Sequence, residues 1–210
     1  MSKKKEVQIG VLAVQGDVLE HINMMNEVLV KKGIKSKTIL VRKPEQIEQL
    51  DGLIIPGGES TVMSRLVSEM RFDNKLIDTI REKVKNGMAI LGTCAGTIML
   101  SKTSKDHVVK DFSQVLLELM DIDVIRNKYG RQQDSFELPI TIEGIGKQPF
   151  TGVFIRAPVI TSVGKNVEIL ARNSEEIFAA KQGKLLAATF HPELTDDMRF
   201  HEYFLNLILS

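Results

Sequence analysis

The feature that most constrains this chain is a series of short, wholly apolar runs, each closed by glycine or a turn residue and followed by helical periodicity. "VQIGVLAVQGD", "DGLIIPGG" and "MAILGT" show almost no alternation of apolar and polar residues. A strand buried on both faces has this pattern, whereas a strand with one wet face alternates. Val18, Ile22, Met25 and Leu29 recur at helical spacing between Asp17, which stands as an N-cap, and Gly33, where a C-cap is expected. "IKSKTILV" reads as a further strand and "PEQIEQL" as a short helix with Pro44 at its first position. Leu76, Ile80 and Val84 form one stripe of "FDNKLIDTIREKVKNG", which Gly87 stops. Strands alternating with helices of this length predict an α/β fold: a three-layer, open, mostly parallel sheet with helices on both faces.

The second half is less regular. Ser101 to Asp111 is polar and reads as a surface loop, followed by a short helix around Gln114 to Met120. "DIDVIRN", "FELPITIEG", "GVFIRAP", "VEILAR", "EIFAAKQG" and "KLLAATF" are strand candidates. Several are separated by turn residues at hairpin spacing, which predicts some antiparallel pairing. "TDDMRFHEYFLNLIL" closes the chain as a helix with Thr195 or Asp196 as its cap. With no repeat and no linker-like segment, residues 1–210 read as a single domain.

Composition excludes whole classes of function. Lys plus Arg (28) nearly balance Asp plus Glu (27), so no global field points to nucleic acid or an acidic membrane. The apolar run after "MSKKKE" is too short to span a bilayer. A single cysteine makes no internal disulfide, which fits a reducing compartment and a cytoplasmic protein.

That cysteine lies in Gly92-Thr93-Cys94-Ala95-Gly96, at the step from an apolar strand to a helix. Strand, tight turn, helix is the layout of a nucleophile elbow. Small neighbours allow the sharp turn, and the amides that open the helix favour a thiolate and supply an oxyanion donor, here Ala95. The same pentapeptide also suits a small buried side chain, so both readings stand at this point. "FHPEL" follows the strand "KLLAAT". Pro192 biases His191 toward an extended conformation, in which Glu193 can reach the imidazole. A carboxylate on one ring nitrogen leaves the other to take a proton from the thiol. Taken alone, a His-Pro at a strand end is equally a turn. His21 and His201, inside helices, and His107, in a polar loop, are poorer candidates. In "IIPGGEST", Gly58 is a candidate second oxyanion donor, with Ser60 or Thr61 capping the next helix. The lysine and spacing of a phosphate loop are missing there.

"PGGEST", "GTCAG" and "HPE", in this order, resemble the class I glutamine amidotransferases, whose fold is flavodoxin-like. "LAVQGD", "RNKYGRQQDSFE", "FTGVFIRAP" and "AAKQG…FHPELTDD" narrow the likeness to the glutaminase subunits of pyridoxal 5′-phosphate synthase. The resemblance implies a triad of Cys94, His191 and Glu193 that hydrolyses L-glutamine to L-glutamate and ammonia. It implies that Gly58, Glu59 and Ser60 border the substrate, and that Arg126, Ile155 and Arg156 hold its amino-acid end. An arginine fork matches a carboxylate, although both arginines also suit surface ion pairs. Gln15 would support the oxyanion loop. Thr97 stands where many relatives carry an aliphatic residue, a departure expected to bear on packing. The implied partner is a (β/α)8 synthase subunit in a larger hetero-oligomer, which takes the ammonia and without which the glutaminase has low activity. No cofactor, metal, nucleic acid or membrane is implied. Two other readings stay open: a glutaminase of another amidotransferase or a related cysteine hydrolase, and a noncatalytic regulatory subunit.

Overall fold

A computed structural model describes residues 6–68, 75–107, 109, 113–128 and 135–210. The first half runs β1 (Ile9–Leu12), α1 (Val18–Lys31), β2 (Ile39–Val41), α2 (Pro44–Ile47), β3 (Gly52–Ile55), α3 (Ser60–Ser68), α4 (Lys75–Lys85), β4 (Ala89–Thr93) and α5 (Ala95–Leu100). The second half adds β5 (Ser101–Asp106), β6 (Met120–Arg126), β7 (Ser135–Ile140), β8 (Phe150–Ile155), β9 (Val159–Val163), β10 (Glu168–Asn173), β11 (Glu176–Gln182) and β12 (Leu185–Ala188). A 3-10 turn (Pro192–Leu194) and α6 (Arg199–Leu209) complete it.

Among the described residues the main sheet runs in the order β2-β1-β3-β4-β12-β11-β9-β6-β5, with β10 alongside β11 and β7-β8 as a separate ribbon. β2, β1, β3, β4 and β12 are mutually parallel. β12-β11-β9-β6 then pair antiparallel. The architecture is therefore the mostly parallel α/β sheet predicted above, with antiparallel strands in the second half. β12, from late in the chain, completes the parallel part beside β4, which puts the ends of both strands together.

The apolar runs have the predicted cause. Ile9 and Val11 of β1, Ile54 of β3, and Ala89 and Leu91 of β4 pack into one core with α1, α6 and the β7-β8 ribbon. Leu12, Leu53, Ile55 and Ile90 point the other way, into a second core with α3, α4 and α5. Both faces are dry, so neither has a polar position to alternate with.

Several expectations fail in the second half and at helix ends. Ser101–Asp106 is a strand, parallel to β6, and not a loop. It is a sheet edge, and only Ser101 in it is buried, so it carries no apolar signal. Residues 113–119 are not helical. Their backbone is taken by other elements: Leu117 and Leu119 N–H donate to Met99 and Leu100 carbonyls, and Val115 N–H donates to Ser64 Oγ. "VITSV" forms β9, which no pattern singled out. The helix after β3 begins at Ser60, so neither Ser60 nor Thr61 caps it. Glu59 does so instead, its carboxylate accepting from the Thr61 N–H (3.1 Å) and the Val62 N–H (2.8 Å). α6 begins at Arg199 behind Met198, with no side-chain cap. The Thr195 hydroxyl instead bonds the Pro192 carbonyl. Gly33 and Gly87 do terminate their helices with positive φ.

Candidate active site

The elbow forms because β4 ends against β12 and the chain turns back at once into α5. Cys94 N–H donates to the Ala188 carbonyl at 2.8 Å, and Cys94 holds φ 47°. A side chain in that left-handed region costs about 1–3 kcal/mol, so the surrounding contacts must impose it. They are close. A Cβ on Gly96 would lie 2.0 Å from the Ile55 carbonyl oxygen, and one on Gly92 2.7 Å from the Gly96 carbonyl. The Thr97 hydroxyl lies 2.6 Å from the Ala188 carbonyl and 3.0 Å from that of Gly92, so this side chain ties α5 to both strand ends. The Ala95 amide opens α5 and has no carbonyl within the helix to bond.

His191 reaches the same point from β12. Its N–H donates to the Val153 carbonyl, and its Nδ1 lies 2.7 Å from Glu193 Oε1. The ring faces the Cys94 thiol across one pocket, close enough for the sulfur to favour its charged form. With Nδ1 occupied by the carboxylate, Nε2 is the nitrogen left for sulfur. Asp17 enters from the loop after β1. It occupies the N-cap position of α1 but makes no cap hydrogen bond, and its Oδ2 lies 3.3 Å from His191 Nδ1.

Burial opposes a charge on His191. The interactions with Asp17, Cys94 and Glu193 outweigh it and raise its pKa from 6.5 to about 12. Asp17 is lowered by its bond to His191. Glu193, fully enclosed, is pushed up by burial against the pull of the same histidine. Atoms of Asp17, His191 and Glu193 lie within 4.8 Å of one another, close enough to share a cation. His191 Nδ1 stands between the two carboxylates, 2.7 Å from Glu193 and 3.3 Å from Asp17.

The loop after β3, which holds the candidate oxyanion donor Gly58, is braced from the segment after β1. Gln15 Oε1 accepts from the Glu59 N–H at 2.9 Å, and Asp17 N–H donates to the Gly57 carbonyl. Gly58 has φ 147°, and a Cβ there would meet Gln15 Oε1 at 2.4 Å. Cys94 and His191 open onto a pocket of about 250 Å³ that is also lined by Gln15, Gly58, Glu59, Ser60, Ala95, Arg126, Ile155 and Arg156. Glu193 lies behind His191, out of the pocket. Arg126 is held by Glu59 (3.1 Å), Asp106 (3.0 Å) and the Thr61 hydroxyl (2.8 Å). Arg156 is exposed at φ 43°, and the Ile155 carbonyl lies 3.9 Å from Cys94 Sγ.

Sequence reasoning missed Asp17 as a partner of His191, and Ile98 and Asn127 as pocket walls. It also passed over His21 and His201, both fully buried behind Glu193. A signal for His21 exists: it falls on the buried side of α1 with Met24, Met25 and Val28. Of the stretch "RNKYGRQQDSFE", residues 129–134 lie outside the described residues.

Comparison with known proteins agrees over nearly the whole chain. The pyridoxal 5′-phosphate synthase subunit PdxT of Thermotoga maritima is 50% identical over 202 residues, covering 96% of this chain and all of that one. The subunit of the same name from Staphylothermus marinus is 44% identical over 208 residues, covering 97% and 100%. A crystal structure of a glutamine amidotransferase superposes with a TM-score of 0.81 at 44% identity, covering 96% of this chain and 99% of that one. A putative GMP synthase subunit from Thermoplasma acidophilum shares the fold alone, with a TM-score of 0.65 at 17% identity over 99% of this chain and 96% of that one. Residues 11–210 match the SNO glutamine amidotransferase family. By this match and the identity to its relatives, the chain belongs to the SNO glutamine amidotransferase family.

Proposed function

We propose that this chain is a glutaminase that hydrolyses L-glutamine to L-glutamate and delivers the ammonia to a synthase partner making pyridoxal 5′-phosphate. The observation that carries the reading is the His191 ring, with the Cys94 sulfur on one side and a buried carboxylate on the other, at the mouth of a pocket of amino-acid size. Cys94, its proton given to His191, attacks the side-chain amide carbon. The amides of Gly58 and Ala95 receive the oxyanion. His191 protonates the departing nitrogen, leaving a glutamyl thioester and ammonia. It then takes a proton from water, which attacks the thioester; collapse releases glutamate and returns the sulfur. Glu193 keeps the imidazole oriented throughout.

The substrate's carboxylate falls to the arginines. Glu59 and Asp106 orient Arg126 and offset its charge, so the exposed Arg156 supplies most of the new pairing. Arg156→Ala is expected to raise KM for glutamine about tenfold with kcat nearly unchanged, the size of one lost charge-assisted hydrogen bond. Steady-state glutamate release measures this, and an unchanged KM would remove Arg156 from the site. Arg126→Ala is expected to do more damage, because it removes the cation that joins the Glu59 and Asp106 carboxylates beside the pocket.

The chain acts as one domain, since β12 completes a sheet begun by β1 to β4. A working free thiol suits the cytoplasm, and among the described residues no helix is long and apolar enough to cross a membrane. The partner assignment follows relatives named as pyridoxal 5′-phosphate synthase subunits. Its test is glutamate release with and without a purified (β/α)8 synthase subunit. Activity that is low alone and rises at least about tenfold on mixing is the expected result; full activity alone, indifferent to the synthase, would refute the partnership.

A further inference from the structure

Behind the triad lies a second buried line of polar groups that the mechanism above does not use. His21 Nδ1 lies 2.9 Å from His201 Nε2. His21 Nε2 lies 3.0 Å from Thr93 Oγ1 and 3.3 Å from Glu193 Oε2. Both rings and Glu193 are buried. Two atoms of this line have no hydrogen-bond partner among the described residues, the far nitrogen of His201, Nδ1, and Glu193 Oε2 itself.

These contacts decide where the protons sit. If His21 carried its proton on Nδ1 and donated to His201, two faults would follow. A bare His21 Nε2 would face the Glu193 carboxylate, lone pair against lone pair, and His201 would bear a buried N–H with no acceptor. Orphaned buried N–H groups are rarer in proteins than orphaned acceptors. The reverse assignment has neither fault. His201 Nε2–H donates to His21 Nδ1, and His21 Nε2–H bonds Thr93 Oγ1 with Glu193 Oε2 3.3 Å away. Neither ring is then left with a buried N–H that lacks an acceptor. Burial lowers both histidines, His201 to about 3 and His21 well below its ordinary value with further help from neighbouring histidine charge. Neutral rings are what this pattern requires.

We infer that His21, its tautomer set by His201, is a positioning residue that donates to the outer oxygen of Glu193 and so holds the orienter of the catalytic histidine. The inference rests on the glutaminase reading of this site. Glu193 would otherwise have one side-chain donor, His191, for two buried oxygens. Oε2 is the oxygen left without a hydrogen bond, and His21 Nε2, 3.3 Å away, brings an N–H up to it. The ionisable groups facing the Glu193–His191 pair are then Asp17 from the β1 loop, Cys94 from the elbow and His21 from α1, with His201 of α6 behind.

The sign of the effect follows. Loss of the His21 donor destabilises ionised Glu193, so its proton is held to higher pH and the acid limb of the kcat profile moves up. His21→Phe, assayed as full-length protein with the synthase subunit, is expected to lower kcat about 10- to 100-fold, as loss of an outer partner does for other oriented histidines. KM should stay within about twofold, and the acid limb should rise by about one pH unit. His21→Gln, which keeps a donor, should restore most of both. A role in packing alone would lower the rate evenly across pH. Nitrogen-15 spectra of the wild-type histidine rings near neutral pH should show His21 and His201 neutral with the proton on Nε2. In His201→Phe, His21 should divide between tautomers. The inference is overturned by an Nδ1-protonated or charged His21 in the wild type, or by a folded His21→Phe with the wild-type pH profile. If wild type released no glutamate even with the synthase, the glutaminase reading would fall, and the nitrogen spectra would still decide the hydrogen-bond line.

Discussion

Replacing Cys94 by Ala is expected to abolish glutamate release, with a fall in kcat of at least about 10⁴-fold. Without the sulfur no thioester forms, and water must attack an unactivated amide directly. The pocket walls and the arginines are untouched, so glutamine should still bind, and calorimetric titration should find an affinity within about threefold of wild type. Alanine suits this test because it keeps a Cβ at φ 47° and so inherits the strain of the native residue. Cys94→Gly would relieve it. It should be equally inactive yet more stable by about 1 kcal/mol, which urea unfolding can measure. A strained, more active residue beside a relaxed, inactive one is the signature of stability traded for function. Turnover by Cys94→Ala above about one per cent of wild type would exclude the covalent route.

How the site was legible, and where it was not, has a physical explanation. Cys94, His191 and Gly58 could be read because each follows an apolar run, and a run buried on both faces announces itself in sequence. The chemistry collects where those strands end. Glu193 could be read because it lies two residues from His191 in an extended segment. Asp17 could not. A helix N-cap role accounted for its side chain locally, and only the sheet order, which brings β1 within reach of β12 across β3 and β4, turns it toward His191. His21 and His201 were hidden for a similar reason. A histidine within an apolar helix face looks like core, and the two meet only because α1 and α6 pack on the same side of the sheet.

The edge strand β5 failed differently. "SKTSKD" has one buried residue, so neither period nor composition distinguishes it from a loop. Its strand character comes from pairing with β6, where Asp106 lies beside Arg126. That pairing matters to the site. Asp106 anchors the guanidinium of Arg126 from the strand side while Glu59 holds it from the loop after β3. The stretch with the weakest sequence signal therefore braces a wall of the pocket onto which Cys94 and His191 open.

Gly96→Ala sets two effects against each other, and their sizes predict the outcome. Helix propensity alone favours alanine over glycine by about 1 kcal/mol. The new Cβ, however, would stand 2.0 Å from the carbonyl oxygen of Ile55 and 2.9 Å from its carbon. That neighbour is backbone, and β3 lies between β1 and β4 with Ile55 in register opposite Gly92. No rotamer change relieves the contact, so α5 must move away from the sheet by roughly 1 Å. Overpacking of this kind costs about 1–3 kcal/mol and outweighs the propensity gain. The larger consequence is catalytic. Cys94 sits two residues away, fixed through its own N–H and through the Thr97 hydroxyl to the same strand ends. A shift of about 1 Å at the nucleophile is expected to lower kcat/KM about 100-fold. Gly87→Ala separates strain from collision, because Gly87 has φ 95° but open space where a Cβ would stand. It should cost about 1 kcal/mol in urea unfolding and leave glutamate release intact. Wild-type activity and stability in Gly96→Ala would mean that α5 does not rest on the end of β3, and that the elbow is held by something other than this contact.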